Sequence, residues 1–183
     1  ASGQRGRVSI TMLVDLGETL NTSSESVSSI ATSANAIYVA GGITMKGTLR
    51  NVKHIRNGEL VGTRDRYELL LNAASSNGNR LQPGDVIFIP PVGNRAGIKG
   101  EVYRPALYEL KNENTLADLV QMAGGLTPQA YPQRINIERT NDDFLRIITE
   151  ADYTAGKGKN ARIQAGDTVS IPSISDITGQ SVE

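Results

Sequence analysis

The residues of this chain that could do chemistry are few and scattered. His54 is the single histidine, and there is no cysteine. A catalytic histidine needs a nucleophile to activate, and no serine stands in a Gly-x-Ser-x-Gly elbow. His54 falls in the alternating run Asn51-Val52-Lys53-His54-Ile55-Arg56, which assigns it an ordinary surface or half-buried place on a strand. Zinc would need several histidine or cysteine ligands, and they are missing. Asn141-Asp142-Asp143 lacks the spacing of a calcium loop and consists of turn formers, so it reads as a hairpin turn. Gly156-Lys157-Gly158-Lys159 lacks the order of a phosphate-binding loop and reads as a flexible solvated loop. A glycosidase would need paired carboxylates across a cleft, and Asp142 and Asp143 in a turn do not supply them. The expectation is a protein that is not an enzyme, with no catalytic residue, no cofactor and no metal.

The best candidates for contact with a ligand or partner are Tyr103, Tyr108 and Tyr131 with Arg104 and Arg134. Aromatic faces beside cationic donors suit a sugar chain. The competing reading packs Tyr103 or Tyr108 against a sheet and leaves the arginines solvated. Nineteen basic and nineteen acidic side chains cancel, so nothing steers the chain to nucleic acid. Its longest apolar runs, such as Val86-Ile87-Phe88-Ile89, are far too short to span a bilayer.

The elements that must position these residues come in duplicate. Ala40-Gly41-Gly42-Ile43-Thr44 returns as Ala123-Gly124-Gly125-Leu126-Thr127 at an offset of 83. The run 81–90, with Gly84-Asp85 at its turn, returns as 163–172, with Gly166-Asp167, at an offset of 82. A strand or hairpin at 6–16 matches 100–110 at an offset of 94, which places about eleven extra residues of the first copy in the Ser/Thr-rich stretch 21–31. Thr22-Ser23-Ser24-Glu25 has the pattern of a helix capping box, with Val27, Ile30, Ala34 and Ile37 along one face. In the second copy Thr115 caps a helix, Asp118 favours its positive end, and Leu116, Leu119, Val120 and Ala123 form the apolar stripe. Gly41-Gly42 and Gly124-Gly125 end these helices. Hairpins follow at 51–63, turning on Asn57-Gly58, and at 134–148. An irregular segment comes next, at 67–79 with a short helix at 67–71, or at 151–160. A final turn, type II in composition at Pro83-Gly84, leads to a buried strand. Each copy thus runs β-β-α-β-β-irregular-β, an α+β arrangement with one helix on a mixed sheet.

The ordered set Gly100-Glu101-Val102-x-Arg104-Pro105-x-x-Tyr108, Thr115-Leu116-x-Asp118-Leu119 and Ala123-Gly124-Gly125-Leu126-Thr127 resembles the SLBB domain, the soluble ligand-binding β-grasp module. The closing run 81–90 is similar to the end of that domain in bacterial polysaccharide export proteins. The resemblance implies two tandem β-grasp domains, 1–94 and 95–178. At an offset of 82 Gly179 falls on Gly97 and Glu183 on Glu101, so 179–183 is expected to open a third repeat truncated in this chain. It implies a periplasmic structural and interaction module of an outer-membrane-associated capsule or exopolysaccharide exporter. The partners would be neighbouring repeats or subunits, an inner-membrane polysaccharide copolymerase, or the polysaccharide itself. The alternative is a module that binds carbohydrate or another soluble ligand. The first copy has Ile10-Thr11 where the pattern has Arg104-Pro105.

Overall fold

Two five-stranded sheets organise the protein in a computed structural model, which describes residues 6–12, 21–27, 32–67 and 80–178. The chain divides into two compact units, Ala1–Val92 and Gly93–Glu183. The first unit holds β1 (Gly6–Met12), β2 (Asn21–Val27), α1 (Ser33–Val39), β3 (Val52–Arg56), β4 (Glu59–Arg64) and β5 (Val86–Ile89). The second holds β6 (Arg95–Gly100), β7 (Ala106–Glu109), α2 (Leu116–Met122), β8 (Ile135–Thr140), β9 (Arg146–Ala151), α3 (Gly156–Lys159), β10 (Thr168–Ile171) and α4 (Ile174–Thr178). The sheet orders are β2-β1-β5-β3-β4 and β7-β6-β10-β8-β9, the same order when strands are counted within each unit. In each, the last strand returns to the centre, parallel to the first and antiparallel to the third. A parallel pair needs a long crossover, and the hairpins and helix between supply it. The class is mixed α+β, as the element pattern of the sequence required.

Local chemistry explains the second unit's helix. The Thr115 hydroxyl accepts from the Asp118 N–H at 3.2 Å, and the Asp118 carboxylate accepts in return from the Thr115 N–H at 3.0 Å, a complete capping box. Leu116, Leu119, Val120 and Ala123 are all buried, as are Ile98, Ile135, Ile137, Val169 and Ile171 on the sheet. Gly124 and Gly125 leave the helix at φ 84° and 96°, where a side chain would be strained. Among the described residues the core of the first unit includes Ala36, Ile37, Val52, Leu81, Ile87 and Ile89. Asn57 and Gly58 both take positive φ, the geometry of the tight hairpin turn expected there.

Three expectations need correction. Residues 21–27 are not the start of a helix. They form β2, paired with β1 from Gly6↔Val27 to Met12↔Asn21. That unbroken ladder outweighs the local capping pattern at Thr22, and the helix is capped at Thr32, which accepts from the Asn35 N–H at 3.4 Å. The repeat register also moves. Ser9 pairs with Val86 and Gly97 with Thr168, so β1 corresponds to β6 at an offset of 88, not 94. Ile10 pairs with Ser23 and Ile98 with Ala106, which makes the first hairpin longer by five residues, inserted between β1 and β2. Finally, Gly156–Lys159 is a helical turn, not an open loop. Gly158 lies so close to the Asp152 carbonyl that a Cβ would sit 1.8 Å from its oxygen. The short helix expected at 67–71, Ile30, the residues Leu13, Asp15 and Leu16 of the first hairpin, and the third-repeat start at 179–183 lie outside the described residues. Among the described residues no helix is long and apolar enough to cross a membrane.

Candidate functional site

Each unit carries one buried carboxylate at the turn before its last strand. Asp85 is wholly buried, and the turn bond from its N–H to the Gln82 carbonyl measures 3.1 Å, with Gly84 at φ 87°. Its carboxylate accepts from Arg56 Nε at 2.8 Å, Arg56 Nη2 at 2.9 Å, the Gln82 N–H at 2.8 Å and His54 Nε2 at 2.7 Å. A carboxylate can accept but not donate, so His54 carries a proton on Nε2. Arg56 also reaches the Arg80 carbonyl at 3.3 Å, tying strand end to turn.

The second unit repeats the device. Asp167, 1% exposed, accepts from Arg139 Nε at 2.8 Å, Arg139 Nη2 at 2.7 Å and the Gln164 N–H at 2.8 Å. Arg139 donates to the Arg162 carbonyl at 3.0 Å. Ile137 occupies the place of His54, since His54 pairs with Ile87 and Ile137 with Val169. Asp85 and Asp167 were evident in the sequence as turn residues, but Arg56 and Arg139 were not. The signal was there: the two arginines stand 83 apart, the offset of the glycine pairs. His54 is also buried more deeply than its strand pattern suggested, at 5% exposure.

Burial by itself would push the Asp85 carboxyl up. The hydrogen bonds of Arg56, the Gln82 amide and His54 outweigh that and hold it far below the usual carboxylate range. The Arg56 and Arg139 guanidiniums are raised in turn by their bonds to the aspartates. A carboxylate so engaged has no proton to give near neutral pH and no open side for a substrate. It is a clamp that fixes the turn. Its stabilisation is complete above the unfolded value, near pH ~3.9, and is lost as acid protonates the group below that. The urea midpoint of the parent should therefore exceed that of Asp85→Asn at pH 7, and the gap should shrink steadily below about pH 4. A gap unchanged across that range would refute the charge-based account.

The five predicted contact residues take different local roles. Tyr103 and Arg104 lie on the connection between β6 and β7. They are pinned to the end of α2: the Tyr103 N–H donates to the Gly125 carbonyl at 3.2 Å, the Arg104 N–H to the Ala123 carbonyl at 2.9 Å and Arg104 Nη2 to the Met122 carbonyl at 3.3 Å. A guanidinium at a helix C-terminus meets orphan carbonyls and the negative end of the helix. Tyr108 is buried and its hydroxyl donates to the Arg104 carbonyl at 2.7 Å, bracing the same turn. Tyr103 remains 61% exposed and Arg104 is exposed beside it. Tyr131 is half-buried, with its N–H on the Pro172 carbonyl at 2.8 Å. Arg134 is an exposed partner of Glu150 at 3.1 Å on β9. The Asn141 side-chain carbonyl accepts from the Asp143 and Leu145 amides at 3.1 and 2.8 Å, the hairpin turn expected there. Among the described residues no group of three or more His, Cys, Asp or Glu is placed to hold a metal ion.

The family comparison falls on this same segment. Residues 95–144 match the SLBB domain family. An SLBB domain lies in the second unit. It spans β6, β7, α2, β8 and the Asn141 turn, and so includes Tyr103, Arg104, Tyr108, Tyr131 and Arg134. An SLBB domain points to a soluble-ligand-binding module. No curated protein matches the chain.

Proposed function

We propose that the chain is a non-catalytic structural and interaction module of a bacterial capsule or exopolysaccharide export apparatus. In this reading it is a pair of tandem SLBB domains of β-grasp form, working in the periplasm as part of an outer-membrane-associated export protein. One observation carries it: the unit that holds the SLBB domain has its strand order and its Arg–Asp clamp repeated in the unit before it. Serial copies of one small fold suit a scaffold that meets its neighbours through repeated faces. The buried ionic groups support the same reading, because they serve the turns. The partners would be neighbouring repeats or subunits and an inner-membrane polysaccharide copolymerase. Deleting the coding segment from the source bacterium should abolish surface polysaccharide while polymer accumulates inside the envelope. Unchanged surface polysaccharide would overturn the proposal.

A second reading, direct binding of carbohydrate or another soluble ligand, rests on Tyr103. A tyrosine 61% exposed next to an exposed arginine, on a turn fixed by two backbone bonds and one from the Arg104 side chain, is a preorganised stacking surface. Titrating a panel of acidic and neutral oligosaccharides into the isotope-labelled chain should then shift amide resonances at 103–105 and 123–125. Silence across the panel removes this reading.

A further inference from the structure

Strand β9 ends the order of the second sheet, with β8 as its partner. Open edges in natural proteins are shortened, bulged or charged to prevent pairing. This one keeps an even register with β8 over six pairs, from Thr140↔Arg146 to Ile135↔Ala151. It leaves Ile147 and Ile148 at 45% and 57% exposure, and at the hairpin tip Phe144 and Leu145 at 90% and 62%. Phe144 is held at φ 61°, a strained conformation for an aromatic residue that serves no burial. The Asn141 N–H donates to the Leu145 carbonyl at 2.9 Å. Antiparallel ladders alternate, so the backbone N–H and C=O groups of Arg146, Ile148 and Glu150 point away from β8 toward the open edge. These three residues also share one face of the sheet.

We propose that β9 docks on β9 of a second copy of this chain, antiparallel and centred on Ile148, so that two five-stranded sheets become one of ten. The charges select the occupant and the register. In this pairing Ile148 meets Ile148, and Arg146 of each copy faces Glu150 of the other. A parallel pairing in register would set Arg146 against Arg146, and an antiparallel shift to a neighbouring centre would take both charges off their partners. Arg146 already binds Glu138 at 2.6 Å and Glu150 binds Arg134 at 3.1 Å. The new pairs therefore join an alternating ladder, Glu138–Arg146–Glu150–Arg134, on each side of the two-fold axis. Opposite charges directly across a strand pair are favourable and like charges are not. This inference does not depend on the export reading.

Sedimentation velocity on the whole chain, from about 10 µM to about 1 mM, suits a contact at the small end of interface sizes. The parent should show a reversible monomer–dimer equilibrium. Arg146→Glu sets a new carboxylate against Glu150 of the other copy, twice by symmetry. Glu150→Arg likewise sets a new guanidinium against Arg146 of the other copy. Each variant alone should dimerise about tenfold more weakly or worse. Mixed one to one they match at both contacts, and the dimer should return. Circular dichroism checks that each variant is folded. A parent that stays monomeric, variants that dimerise as tightly as the parent, or a mixture that fails to recover would each overturn the proposal.

Discussion

Asp85→Ala should cost the first unit about 3 kcal/mol, at the lower end of what removing one member of a buried ion pair does. Asp85 is wholly buried, whereas its partners differ: the His54 side chain is 7% exposed and that of Arg56 28%. Truncation leaves the buried His54 without its acceptor and takes the carboxylate from the Gln82 amide. Arg56 loses less, because its outer edge can turn to solvent. Asp85→Asn keeps one acceptor oxygen and removes the charge, so it should fall between parent and alanine variant. Urea unfolding with hydrogen exchange on β3 and β5 would read both. A loss below about 1 kcal/mol in the alanine variant would mean that the turn, and not the clamp, holds β5 in place.

Gly100→Ala should be at least as damaging. Gly100 ends β6 at φ 86°, and a Cβ there would lie 2.0 Å from the Ile171 carbonyl oxygen, which is backbone and cannot swing aside. The same oxygen accepts the Glu101 N–H at 3.0 Å, so relief of the clash would break the junction of β6 and β10. Strain and lost pairing together should reach about 3–5 kcal/mol. Gly97→Ala is the control on the same strand. Its Cβ would meet Thr168 and Leu107 at ordinary distances of 3.7–3.8 Å, and its effect should stay below about 1 kcal/mol. Equal thermal midpoints for the Gly100→Ala variant and the parent would show that the β6–β10 contact is looser than the geometry implies.

Much of the architecture could be read from residue order alone, because the forces that set it act over a few neighbours. The apolar stripe from Leu116 to Ala123, the capping pair Thr115 and Asp118, the glycine pairs that end both helices and the Asn57-Gly58 turn each carry their own stereochemical reason. The duplication was visible because sequence copies keep their spacing. What tertiary structure decided was pairing between distant segments. Residues 21–27 carry a helix-capping pattern, but seven ladder pairs with β1 make them a strand. The offset of the first strand depends on which residues face β5 and β10, and no local signal holds that information. The Arg–Asp clamps join residues about 29 positions apart by bonds that exist after the sheet has closed. The same closure sets β9 at the end of its sheet's strand order. Burial, and with it the charge state of Asp85 and the exposure of Ile148, belongs to the packed sheet, because it is set by neighbours that the chain brings from afar.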